Sequence, residues 1–182
     1  MRKILSFLGL ISLSALALSV SAAPAWQTYA QADFHIHYPQ ELQPRESNGS
    51  VVFSAVQELP NFASVTVSHA AVSPGAKVPC SVGTPDRQVA GVSARLDCFA
   101  DGALGNEYQT VCFTFVKNGR TWRLSLTTWH QLAYAANPSE LAESEANYAR
   151  RRASYWALFE DMLASFEPGS APPDAGPDKA ER

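Results

Sequence analysis

The stretch that decides the fold runs from Gln109 to Thr128, QTVCFTFVKNGRTWRLSLTT. Two runs rich in aromatic, β-branched and Thr residues flank Lys117-Asn118-Gly119-Arg120. Asn-Gly is the preferred pair for a type I′ hairpin turn, because both central residues need positive φ. With Asn118 and Gly119 as the loop, Phe115 faces Trp122, Phe113 faces Leu124 and Val111 faces Leu126. Every large apolar residue of both strands but Val116 then lands on one face, and a slip of one residue would scatter them. The opposite face carries Thr110, Cys112, Thr114, Thr121, Arg123 and Ser125. The register therefore predicts a half-buried antiparallel hairpin.

Working outward, Phe34-His35-Ile36-His37-Tyr38 alternates with period two and stops at Pro39, the pattern of a strand. Val51-Val52-Phe53 follows an Asn48-Gly49 turn, Ala63 to Ala70 reads as a third strand, and Val92 to Phe99 as a fourth. Val72 to Val89 is rich in Pro, Gly and Ser and reads mainly as a long connection. Asp101-Gly102 and Gly105-Asn106 turn the chain back. A helix is predicted from about Ser139, which follows Pro138 and serves as its cap. Trp156, Phe159, Leu163 and Phe166 recur at helical spacing and form its buried stripe, with Tyr148, Arg152 and Tyr155 on the same flank. Trp122 is expected to bury against that stripe. The fold class is α+β: an antiparallel sheet packed by helices, with a long C-terminal helix.

The two ends read differently. Residues 1–22 have a positive start, Met1-Arg2-Lys3, an apolar run from Ile4 to Val20, and the small-residue site Val20-Ser21-Ala22. That is the pattern of a signal peptide cleaved after Ala22. No later apolar stretch is long enough to span a bilayer. Residues 167–182 carry Pro and Gly with no large apolar residue, and read as a disordered tail. Residues 23–166 are then the single domain, and the expected location is periplasmic or secreted. The whole chain has 182 residues, 14 Lys plus Arg and 17 Asp plus Glu, a net charge of −3. Loss of Arg2 and Lys3 makes it two units more negative. A generally basic nucleic-acid binder is excluded by that balance.

Tyr29 followed by FHIHYP (Phe34 to Pro39), the strand holding Phe53, the Tyr108 strand, and the ending FEDMLASF (Phe159 to Phe166) together resemble the PsbP-like superfamily. It includes photosystem II oxygen-evolving subunits, yeast Mog and bacterial DcrB-type envelope domains. The chain lacks the Trp that often follows Tyr-Pro in that pattern, and Leu42 stands nearby. The resemblance implies a sheet sandwiched by helices and a non-catalytic accessory or binding role.

Chemistry-bearing residues are few. Asp33, His35 and His37 alternate on one strand face, and imidazoles two residues apart are close enough to share a Zn or Cu ion. His69 on a neighbouring strand offers a further ligand. Against this stands the plain reading of two histidines on a solvated face. Arg150-Arg151-Arg152 point about 100° apart and make no single patch. No GxSxG, HExxH, Walker or GxGxxG motif is present. The nearest catalytic set would be Ser125, His130 and Asp101, without a strained turn or oxyanion donor beside it. The expectation is no enzyme and no obligate cofactor. Two classes remain: an exported accessory module holding a protein partner or small ligand, and a periplasmic immunity protein that neutralises a toxin.

Three cysteines allow one intramolecular disulfide. Cys98 and Cys112 lie symmetrically about Gly105, which favours their opposition. Parity argues against it: Cys98 shares a face with Leu96, and Cys112 lies opposite Phe113. If Leu96 and Phe113 face one core, the sulfurs are on opposite faces. Cys80, in the connection, reaches either partner without that constraint.

Overall fold

The computed structural model describes residues 25–69, 76–80, 86–103, 105–131 and 137–169. The signal-like segment and the tail beyond Gly169 lie outside them. The element order is β1 (Trp26–Ala30), β2 (Phe34–Pro39), β3 (Leu42–Ser47), β4 (Ser50–Ala55), β5 (Phe62–Ser68), β6 (Ala76–Val78), β7 (Asp86–Val89), β8 (Val92–Ala103), β9 (Asn106–Lys117), β10 (Arg120–Gln131), α1 (Pro138–Ser165) and β11 (Glu167–Pro168). An eight-stranded sheet runs β3-β4-β5-β10-β9-β8-β6, with β7 also paired to β8, and a three-stranded sheet runs β1-β2-β11. All pairings are antiparallel. The fold is α+β, mostly antiparallel sheet with one C-terminal helix among the described residues.

The hairpin register is the one its apolar pattern demands. Trp122 pairs with Phe115, Leu124 with Phe113 and Leu126 with Val111. Asn118 and Gly119 both have positive φ, 53° and 72°. The same face continues across the sheet, through Val67 beside Leu124 and Val65 beside Leu126, then Val51 and Phe53 on β4. Two layers cover this face. Tyr29 and Tyr38 of the small sheet pack on Phe53, and Phe34 packs edge-on to Trp122. Farther along, α1 lays Trp156 and Phe159 on Phe113, and Tyr155 on Phe62. Phe34, Trp122, Phe115 and Phe166 form one aromatic knot where the two layers meet. Trp122 is 1% exposed there. The buried helical stripe is Phe159, Met162, Leu163 and Phe166, while Trp156 is only half-buried.

Several expectations are corrected. The helix cap is Asn137, whose side chain accepts from the Glu140 N–H, with Pro138 in the first turn and Ser139 inside the helix. Asn accepts at a cap as readily as Ser, and Pro suits the first helical position. Among the described residues, the connection from Val72 to Val89 contains two short strands, β6 and β7, because β8 is long enough to offer its edge to both. The chain does not end its structure at Phe166: Glu167 and Pro168 pair with His35 and Phe34 on the free edge of β2. Among the described residues the only helix is α1, where the resemblance implied a sheet sandwiched by helices.

The disulfide joins Cys80 to Cys98. Cys112 is a buried free thiol. The expected Cys98–Cys112 option fails on parity. Ala103 pairs with Asn106, so the hairpin axis lies half a residue before Gly105 and Cys98 faces Val111 while Cys112 faces Asp97. Leu96 and Phe113 do share the core face. Burial pushes the Cys112 thiol up, outweighing its hydrogen bond with Thr114. Beside it, on the outer face, Asp97 is buried between Lys77 and Arg95.

Candidate functional site

The three long strands continue past the aromatic core, and their inner face changes character row by row. The first row is apolar: Cys98, Val111 and Leu126. The second is Ala100, Gln109 and Thr128. The third is Gly102, Glu107 and His130. Side chains alternate strictly on a strand, so the inner positions stay inner after the apolar residues run out. Above these rows passes the middle of α1, where Arg152 and Trp156 stand four residues apart on one helix flank.

Between helix and rows lies a cavity of about 250 Å³, walled by Val111 and Leu126, by Trp156 and Arg152, and by Val78 beside Cys98. The Cys80–Cys98 bond and the β6 ladder, Val78 opposite Cys98, hold that last wall. The polar end is internally bonded. Arg152 Nη1 donates to Gln109 Oε1 at 2.7 Å, and Gln109 Nε2 donates to Glu107 Oε1 at 3.1 Å. Arg152 also lies over the Tyr148 ring, and Tyr148 stacks on His130 with centroids 4.3 Å apart at 13°. His130 and Tyr148 are 5% and 7% exposed. Neither His130 Nε2 nor the Tyr148 hydroxyl has a hydrogen-bond partner among the described residues. Glu145 Oε1 is 3.8 Å from His130 Nε2, beyond direct bonding and within reach of one bridging water.

The metal candidates are dispersed. His35 meets Glu167 at 2.9 Å, the residue that β11 sets opposite it. The His37 side chain is exposed. Asp33 instead pairs with Arg120, and its other oxygen is 3.8 Å from His69 Nε2. Burial lowers the His69 pKa against the pull of Asp33. Among the described residues no group of three or more His, Cys, Asp or Glu converges as a metal site. The catalytic set is also split. Ser125 pairs with Cys112 on the outer face of β10, whereas His130 lies on the inner face and Asp101 is exposed on β8. The basic triplet scatters as its spacing requires: Arg150 bonds Asn147, Arg151 bonds Asn61 and Arg152 bonds Gln109.

Sequence reasoning misses Glu107, Gln109 and Thr128. The signal was present in the hairpin register, which places them on the apolar face beyond Val111 and Leu126. Polar residues continuing a buried face mark the place where packing gives way to a cavity.

No family model matches the chain, and no curated relative matches it. Solved structures are similar at low identity. One, from Bacteroides thetaiotaomicron, is 12% identical with a TM-score of 0.43 over 74% of this chain; the chain spans 44% of its length. LpqN, described as involved in cell envelope biogenesis of Mycobacterium tuberculosis, is 9% identical with a TM-score of 0.39, over 80% of this chain and 91% of its own.

Proposed function

We propose that the chain is an exported, non-catalytic binding module of the PsbP-like kind, holding a small apolar ligand between α1 and the three long strands. The observation that carries this is the cavity itself. A dry apolar cavity of about 150 Å³ already admits benzene, and this one is about 250 Å³ with polar groups confined to one end. Concave, mostly apolar sites with a few convergent polar groups are the usual form of a ligand site.

Three further observations support the reading. Tyr29, Phe34, Ile36, Tyr38 and Pro39 lie on β1 and β2, with Phe34, Ile36 and Tyr38 on the inner face. A Cys80–Cys98 bond persists in an oxidising compartment and not in a reducing one, in keeping with the signal-like residues 1–22. Ser125 and His130, the nearest approach to a nucleophile and base, lie on opposite faces of β10.

Thermal melting with indole as the probe tests the cavity. Millimolar indole should raise the midpoint of the wild-type protein and leave Val111→Trp, which fills the space, unmoved. An equal shift in both places the probe elsewhere and removes the reading. Amino-terminal sequencing of the envelope fraction should begin at Ala23; Met1 would overturn export.

A further inference from the structure

We infer that the ligand is an apolar α-amino acid, with its side chain in the first row of the cavity and its two charges at the Glu107–Gln109–Arg152 end; this rests on the cavity being the ligand site. The argument starts from charge. The polar end carries one carboxylate and one guanidinium, separated and aligned by a single amide. A ligand bearing only a carboxylate would meet Glu107 as a like charge, and one bearing only an ammonium would meet Arg152. Such built-in repulsion selects as strongly as attraction does. A zwitterion satisfies both: a guanidinium offers five N–H donors in a fork that suits a carboxylate, and a carboxylate accepts an ammonium.

Geometry agrees. Gln109 lies one row above Val111 and Cys98, and Glu107 one row higher. Successive rows on one face are about 6–7 Å apart. A side chain seated against Val111 and Leu126 therefore puts its α-carbon level with Gln109, between the two charges. Trp156 stands one helical turn beyond Arg152 and walls the apolar part, so an aryl ring can stack there while its carboxylate reaches the guanidinium. The volume of about 250 Å³ admits a benzyl group with its head and does not admit a long acyl chain in full.

Four probes sharing an aromatic body test this by calorimetry on the oxidised protein: L-phenylalanine, 3-phenylpropionate, phenethylamine and indole. Phenylalanine should bind about tenfold or more tighter than either singly charged probe, the size of one charged hydrogen bond. Glu107→Gln should erase its advantage over 3-phenylpropionate alone, and Arg152→Gln its advantage over phenethylamine alone. That crossed pattern is not produced by a general loss of structure or of the cavity, which would weaken all four probes together. Phenylalanine binding no tighter than the singly charged probes, while indole binds, overturns the inference and leaves the cavity reading standing. Failure of all four overturns both.

Discussion

Phe166 lies edge-on to Trp122, with ring centroids 5.1 Å apart at 68°. The contact joins the residue that caps the end of α1 to the hairpin that organises the large sheet, and Phe34 of the small sheet touches both rings. One indole thus ties three layers. Trp122→Ala should cost about 3–5 kcal/mol, the usual loss for a large buried aromatic. Trp122→Phe should cost less than half as much, since the indole N–H has no partner among the described residues. Urea unfolding checks both; a loss well under 1 kcal/mol for Trp122→Ala would place the aromatic knot outside the stable core.

The cysteines make a second prediction. Denatured but unreduced protein should show one free thiol, and peptide mapping should assign it to Cys112. In the folded state that thiol should alkylate slowly at neutral pH, because burial raises its pKa and keeps it protonated. Rapid native alkylation would contradict the burial. Cys80→Ser should cost about 3 kcal/mol, the scale set by the short loop that the bond closes.

Asp97 predicts a pH dependence. Burial alone would raise its carboxyl, but hydrogen bonds from Lys77 and Arg95 outweigh that and hold it below the ordinary range. Its folded pKa lies under the unfolded value, so its contribution is present at neutral pH and lost as pH falls through the folded value. Both cations are exposed, which limits the effect. Asp97→Asn should cost about 1 kcal/mol at pH 7, with the cost fading below about pH 4. A cost that stays constant from pH 7 to pH 3 would show that packing, not charge, is lost.

His69 predicts a second, higher window. Its ring centroid is 4.0 Å from that of Trp122, and burial lowers its pKa. Protonation is harder in the folded state than in the unfolded one, so stability is present above the unfolded value near pH 6.5 and declines below it. His69→Gln should flatten the decline between about pH 6.5 and 5. An unchanged slope would assign that decline to other groups.

The hairpin from Gln109 to Thr128 was legible because Asn118-Gly119 and the alternation agree on one register. The helix was legible from the spacing of Phe159, Leu163 and Phe166. The short strands were not. Ala76–Val78 and Asp86–Val89 have no period of their own and pair only because β8 presents an unpaired edge, a tertiary fact. Trp26–Ala30 likewise depends on β2. The disulfide needed one more half-residue of register than turn residues alone supply: parity excluded Cys112 once Ala103 was set opposite Asn106. Alternation puts His35 and His37 on one face, and β11 sets Glu167 opposite His35 there, from a segment with no apolar signal to announce it. The cavity stayed hidden because its polar residues follow the buried face one row too far for a hydrophobic pattern to mark them.

The wall that Val78 gives the cavity is a strand of three residues, too short to hold by its ladder alone. Its attachment is the Cys80–Cys98 bond. The long strands, the helix and the aromatic knot have contacts of their own that do not pass through this bond. Reduction therefore loosens one side of the pocket and leaves the core in place. The redox state of a single bond sets whether the pocket has all its walls.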